Sequence, residues 1–371
     1  MNHKWSTIFL SSTLLFNSTT AVAGLLLSPY LSSYSALSGA ALNIAADSVV
    51  SSDLAARAAV AIGANTDTAN IYAGAAANLG AGATATNIYA GNAAGIGANA
   101  STENIYAGAA VVLGARASAT DIYSGAAIGL GAGATVGDIY AAAAITGNGA
   151  NSSTPFANTA PEISSYAQNL NIDNAMQQIT DAQSSLFNLD SDYSLATTLA
   201  DYTFTPGVYE GSALTVAAGS TITLDGLDEE NPVWIFNLSE AMTVGANNIF
   251  EITNAGVGAS VIWNIGDALS LGAQTSFIGT VFTGGAVSGG AGSSISCGNI
   301  YATAAIGIGS VTSTNCIATE TWAGSIDGFA SNIDITDGIV SNSSFSVPEP
   351  ATGLMMFSFV LLLLAPKLKR K

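Results

Sequence analysis

From Asp53 to Tyr140 the chain alternates small apolar and polar positions in a phrase that returns every 17 residues. Asp53, Asn70, Asn87, Asn104, Asp121 and Asp138 open successive copies, followed by Leu54, Ile71, Ile88, Ile105, Ile122 and Ile139. Tyr72, Tyr89, Tyr106, Tyr123 and Tyr140 come next. A second apolar residue, Ile62, Leu79, Ile96, Leu113 or Leu130, then precedes a glycine. Alternation with period two is the strand pattern. A unit this short cannot close its own core, so the copies must stack. The pattern predicts a mainly β chain, a parallel β-solenoid with two or three short strands per turn at ~4.8 Å spacing. Ala makes the coil narrow and Ile and Leu fill it. Asn and Asp form a corner ladder that satisfies turn backbone, and Gly supplies corners of positive φ.

A degenerate turn, SALSGAALNIAADSVVSS, precedes the repeat at 35–52, and a late copy, NIYATAAIGIGSVTSTN, appears at 299–315. Between them the period changes. Ile172, Ala175, Met176, Ile179, Ala182 and Leu186 recur at spacings of three and four, which predicts a helix over about 171–189 with one buried stripe. Asn171 and Asp173 suit its N-terminus. Solenoid texture then returns in longer turns that begin at Ala213, Ala241, Ala268 and Ala286, with strands at PVWIF (232–236) and VIWNI (261–265).

The two ends carry different patterns. Residues 1–23 have a short basic start, an apolar stretch TIFLSSTLLF and small residues before Gly24, as in a secretory signal removed by signal peptidase. At 347–371, VPEP is followed by an apolar run near the short limit of a membrane span and by a basic end. That order resembles a PEP-CTERM sorting signal. The resemblance implies processing by an exosortase in a Gram-negative bacterium that makes exopolysaccharide, transient anchoring in the inner membrane, and a mature protein outside the cell or on its surface. The expected organisation is a leader (1–23), a solenoid domain (24–317), a linker (318–346) and the sorting tail (347–371).

Charge narrows the function classes. Segment 24–346 holds 24 of the 25 acidic residues but only Arg57 and Arg116 of the 7 basic ones, a net charge of −22. Such a surface repels phosphate backbones, so nucleic acid is excluded as a partner. The segment has no His and no Lys, which removes the usual general bases and imidazole metal ligands. No cofactor or metal is expected, and no enzymatic activity. The acidic stretch LDGLDEENP (224–232) reads as a solvated turn. Cys297 and Cys316 are expected to pair as a disulfide in an exported chain.

Several segments together, TPGVY (205–209), PVWIF (232–236), VIWNIG (261–266) and FIGTVF (277–282) after a central helix, resemble the bacterial and fungal ice-binding protein family over about 35–317. The resemblance implies a right-handed, triangular β-solenoid whose turns are not stacked in sequence order. It also implies a long helix along one flank, and the Asn299 turn beside the early turns. The activity it implies is adsorption to ice, or to the water at its surface, through one flat face. Rigid ladders of Thr, Ser, Ala and Gly offer methyls that order water and hydroxyls that anchor it, without charges.

Two hydroxyl columns are candidates. Thr215, Thr243, Ser270 and Ser288 form one. Thr221, Ser276 and Ser294 form another, interrupted by Ile249, with Thr84, Ser101, Ser118 and Thr135 as counterparts in the repeat. The family's Thr-Ala/Gly-x-Thr/Asn motif is expected where Leu79-Gly80-Ala81-Gly82, Ile96-Gly97-Ala98-Asn99 and Leu113-Gly114-Ala115-Arg116 stand. On that basis the motif is damaged in the repeat, with Arg116 and Glu103 interrupting the first-half ladders, and ice affinity is expected either to be weak or to be confined to the second-half turns. A second reading keeps the same solenoid as a structural or adhesive exopolysaccharide-matrix protein without ice affinity. The Tyr column stiffens the coil whatever the function, or forms a strip that stacks on carbohydrate.

Overall fold

The computed structural model describes residues 24–25, 31, 33–48, 50, 52–147, 151–157, 172–256, 259–308, 333–336 and 339–342. Of these, 24–25, 151–157, 333–336 and 339–342 are described as backbone only. The leader at 1–23, Asn171, Cys316 and the sorting tail at 347–371 lie outside the described residues.

Short strands follow one another around a coil, and each pairs in parallel with the same position of the neighbouring turns. Ile71, Ile88, Ile105, Ile122 and Ile139 occupy one register column and are fully buried. Leu79, Ile96 and Leu113 form a second inward column on another side. Stacking collects these columns into three parallel sheets of 15, 13 and 5 strands. A separate three-stranded antiparallel sheet joins Gly24–Leu25 to Ile333–Thr336 and Ile339–Asn342.

Stacking order departs from sequence order. The first strand of the coil, Tyr34–Ser38, lies between Asp53–Ala56 and Ile300–Ala302. Leu42 likewise has Val60 on one side and Ile306 on the other. The chain starts in the middle, builds outward to Asn151–Ala157, and begins again at the opposite end with Tyr193–Ser194. It then climbs back to close against its own first turn. The Asn299 turn therefore sits beside the early turns, as the family resemblance implies.

A helix, Ile172–Phe187, links the two halves. Its buried residues are those of the sequence stripe plus Gln183, and they pack on Leu37, Ala55, Ile235, Ile262, Phe282 and Tyr301 from the 15-stranded sheet. Sixteen residues span ~24 Å, which matches about five strand steps of ~4.8 Å. Arg57 and Asp173 pair at the helix start. At its end, Asn237 Nδ2 donates to the Leu186 carbonyl at 2.7 Å and Asn264 Nδ2 to that of Gln183 at 3.1 Å. Two last-turn carbonyls thus find partners in the sheet.

Two kinds of corner hold the coil. At the repeat start, the Nδ2 groups of Asn70, Asn87 and Asn104 donate to the Oδ1 atoms of Asp53, Asn70 and Asn87 at 2.9–3.0 Å. This is the ladder the sequence predicts. The positive-φ corner differs from expectation. It falls three residues after Ile62, Leu79, Ile96, Leu113 and Leu130, at Asn65, Gly82, Asn99, Arg116 and Gly133. The glycines directly after those apolar residues serve close approach instead. A Cβ on Gly97 would stand 2.5 Å from the Ala81 nitrogen in the turn beside it. The acidic stretch after Leu224 is also not a simple turn. Strand Thr221–Glu229 runs into it, with a register shift between Asp225 and Glu229 against the neighbouring strand.

Candidate functional site

The three sides of the coil present three different surfaces, and the outward columns can be followed strand by strand. On the 15-stranded side the helix covers the middle. Beyond it runs the Tyr column, with ring centroids 4.9–5.0 Å apart and interplanar angles of 3–8° from Tyr72 to Tyr140. Each inner ring therefore has both faces occupied by neighbouring rings. The column stiffens the coil, and its π faces are not offered to a sugar ring.

The 13-stranded side is uncharged along its outward columns. Thr198, Thr215, Thr243, Ser270 and Ser288 stand opposite one another in consecutive strands, and all five are exposed. Across the joint the column continues through Gly307, Asn43, Ala61, Asn78, Gly95, Val112, Gly129 and Thr146. A flanking column is alanine in twelve turns: Ala213, Ala241, Ala268, Ala286 and Ala305 below the joint, and Ala41 to Ala144 above it. In nine of these strands the outward residue stands between two buried ones, so each turn projects a single residue, a Thr or Ser from Thr198 to Ser288 and mostly Gly, Ala or Asn beyond the joint. Thirteen strands at ~4.8 Å give a surface ~58 Å long.

The sequence-derived columns divide between sides. Thr215, Thr243, Ser270 and Ser288 form the single column expected of them. Thr198 extends it by one turn, and no periodic signal marks its two-residue strand. Thr221, Ser276 and Ser294 lie instead on the five-stranded side, in register with Ile249. Thr84, Ser101, Ser118 and Thr135 form their own column at the start of the seven-residue repeat strands. They turn away from the 13-stranded side, because the positive-φ corner separates the two. The two sets thus belong to different surfaces. Acids accompany both the Thr84 and the Thr221 columns. Thr84 hydrogen-bonds Asp67, Thr223 donates to Glu251 at 3.1 Å, and Glu103 stands exposed beside Ser101.

The expected location of the Thr motif is corrected too. Leu79, Ile96 and Leu113 are at most 4% exposed and face the core, so no surface motif begins there. Arg116 lies at the corner, where its Nε donates to Asn99 Oδ1 at 2.8 Å. It borders the 13-stranded side without interrupting it. Cys297 is buried, while Cys316 falls outside the described residues.

These features define a solenoid class: a parallel β coil with one long side of small residues, uncharged along its outward columns, and a helix packed on another. The chain belongs to the Ice-binding-like family, whose model matches residues 112–314. An ice-binding protein of Nostoc sp. (strain HG1) is 32% identical over 104 residues, which are 28% of this chain and 38% of that relative. Among solved structures, the chain is similar to the ice-binding protein of the Antarctic ascomycete Antarctomyces psychrotrophicus, with TM-score 0.44 and 18% identity over 80% of this chain and 99% of that one. It is similar also to an ice-binding protein of an Arctic yeast, with TM-score 0.45 and 14% identity over 81% and 97% of the two chains. A third is an ice-binding protein domain of Shewanella frigidimarina, with TM-score 0.42 and 14% identity over 78% and 99%.

Proposed function

We propose that the protein adsorbs to ice through the outer surface of its 13-stranded side. The observation that carries this reading is the uncharged array of that side: five consecutive hydroxyls in one half, flanked by an alanine column that continues once per turn across the joint. Methyls of Ala and Thr favour ordered water over them, and hydroxyls at a fixed repeat anchor it. Charges would draw the same water into hydration shells, and the outward columns of this side hold none. The turns are locked by backbone pairing and cannot rearrange to solvate the array otherwise. Adsorption needs no reacting group and no pocket. Five consecutive hydroxyl positions, Thr198 to Ser288, make the hydroxyl-bearing end of the contact, and the repeat turns lengthen it.

We further infer that residues 1–23 direct export, that 347–371 act as a sorting segment processed by an exosortase, and that Cys297 and Cys316 pair outside the cytoplasm. Ice adsorption is tested with residues 24–346 at micromolar concentration: crystals should be shaped, thermal hysteresis should be measurable, and the protein should enter a growing ice hemisphere. Unshaped crystals, no hysteresis and exclusion from the hemisphere together reject the reading.

A further inference from the structure

The bore of the coil is filled by inward columns, and at the Tyr193 end one aromatic column comes to the surface. Tyr193 stands in register with Tyr209, and Tyr209 with Phe236 and Trp263. Tyr209, Phe236 and Trp263 are buried, and adjacent rings in the column stack at 3.9–5.1 Å. Tyr202 is likewise the register partner of the fully buried Ile222. Both terminal tyrosines are nevertheless 47% exposed, because Tyr193–Ser194 and Tyr202–Phe204 are the last strands of their sheets. Unlike the inner rungs of the Tyr72–Tyr140 ladder, Tyr193 is stacked on the coil from one side, with Tyr209 at 4.9 Å. Among the described residues no strand lies beyond its other face.

A carboxylate residue directly precedes each tyrosine, Asp192 before Tyr193 and Asp201 before Tyr202. Asp192 Oδ2 accepts from the Val208 nitrogen at 2.8 Å, and Asp201 Oδ1 from that of Thr221 at 2.9 Å. The next turn fixes both side chains in place. Each retains a second oxygen able to accept from a hydroxyl. Tyr193, stacked on Tyr209, and Tyr202, tilted at 53° against Phe204, are half-exposed rings held by the coil, and with anchored acceptors next to them in the chain they match the two surfaces of a pyranose, an apolar C–H face and a hydroxyl edge.

We propose that this end of the coil is a binding platform for a neutral polysaccharide, with Tyr193 and Tyr202 as stacking rings and Asp192 and Asp201 as hydroxyl acceptors. A second copy docked end to end would bring two acidic rims of strongly negative chains together, and an anionic polymer would be repelled in the same way. The platform is separate from the 13-stranded side and holds whether or not that side binds ice.

The test is affinity electrophoresis of residues 24–346 through gels containing dextran, hydroxyethyl cellulose or alginate, with Y193A/Y202A and Y193F/Y202F beside the parent chain. The parent should be retarded by at least one neutral polymer and not by alginate. The alanine pair should lose affinity by roughly tenfold or more, and the phenylalanine pair should keep most of it, since the ring face carries the contact. Incorporation into ice should match the parent in both variants. Should the alanine pair unfold, hydrogen exchange of the parent chain with a soluble neutral hexasaccharide decides, with new protection expected at 190–211. Passage unretarded through both neutral gels, retardation by alginate alone, equal retardation of parent and alanine pair, or no protection at 190–211 overturns the proposal. So does a dimer that the alanine pair abolishes.

Discussion

Ser38 Oγ donates to the Ala304 carbonyl at 2.8 Å across 266 residues of sequence. That bond, with Leu37 opposite Tyr301, closes the coil where its two halves meet. Tyr301 is fully buried, and its hydroxyl donates to the Leu31 carbonyl at 3.0 Å while accepting from Asn299 Nδ2 at 2.9 Å. Losing either hydroxyl strands buried partners, so Ser38→Ala and Tyr301→Phe should each cost about 1–3 kcal/mol, measured as a shift in denaturant midpoint. Removal of one whole repeat, residues 87–103, should cost less, because the flanking turns present equivalent registers and can pair directly.

Alkaline pH should act through the same joint. Complete burial pushes the Tyr301 phenol well above its ordinary value. Burial also raises Tyr209, against the opposing hydrogen bond to Thr205. A folded value above the unfolded one means that this stability is fully present below the ordinary phenol value near 10 and is lost as pH rises through it. The melting temperature should therefore fall above about pH 10, and the fall should be shallower in Tyr301→Phe.

Asp53 behaves differently from most carboxylates in folded proteins. Burial raises it above 3.8, and hydrogen bonds from Asn70 oppose this only in part. Its stabilising contribution is present below the unfolded value and is lost as pH rises through the folded one, so the ionised group is a liability at neutral pH. Asn at this position would still accept from Asn70 and would extend the amide ladder. Asp53→Asn should raise the melting temperature at pH 7 and leave it nearly unchanged at pH 3.

At the positive-φ corner, Arg116 has φ 57° where neighbouring turns place Asn99 or Gly133. A bulky residue in that region costs ~1–2 kcal/mol, and Asn tolerates it better. Arg116→Asn should stabilise by a few tenths to ~1 kcal/mol in thermal unfolding, without altering adsorption, because residue 116 borders the array without entering it.

The helix, the inward columns and the Asn/Asp ladder are legible in the sequence because each rests on a local period. Adjacency of the Asn299 turn to the Ser35 turn comes from similarity among distant copies and from the family resemblance, since no local pattern encodes which turn follows which in space. Surface assignment is the part that local patterns fix least. Thr215 and Thr221 are six residues apart and both project outward, yet the left-handed residue Gly219, φ 74°, turns the chain between them. Column alignment alone cannot show that corner, so the sequence offers both hydroxyl columns as candidates without showing that they occupy different sides. Leu79 was expected at the start of a surface motif for the same reason, and the fold puts it in the core.

Adsorption through the 13-stranded side is tested most directly by steric block on two sides of one coil. Thr243→Tyr and Ser270→Tyr place a bulky ring in the middle of the five-hydroxyl run, while Ser101→Tyr and Ser118→Tyr place it on the side that carries Asp67 and Glu103. All four residues are outward, so circular dichroism and melting temperature should match the parent. Thermal hysteresis at equal concentration should fall to near zero in the first pair and stay at the parent value in the second. Full hysteresis in Thr243→Tyr and Ser270→Tyr, or its loss in Ser101→Tyr and Ser118→Tyr alone, would contradict the account.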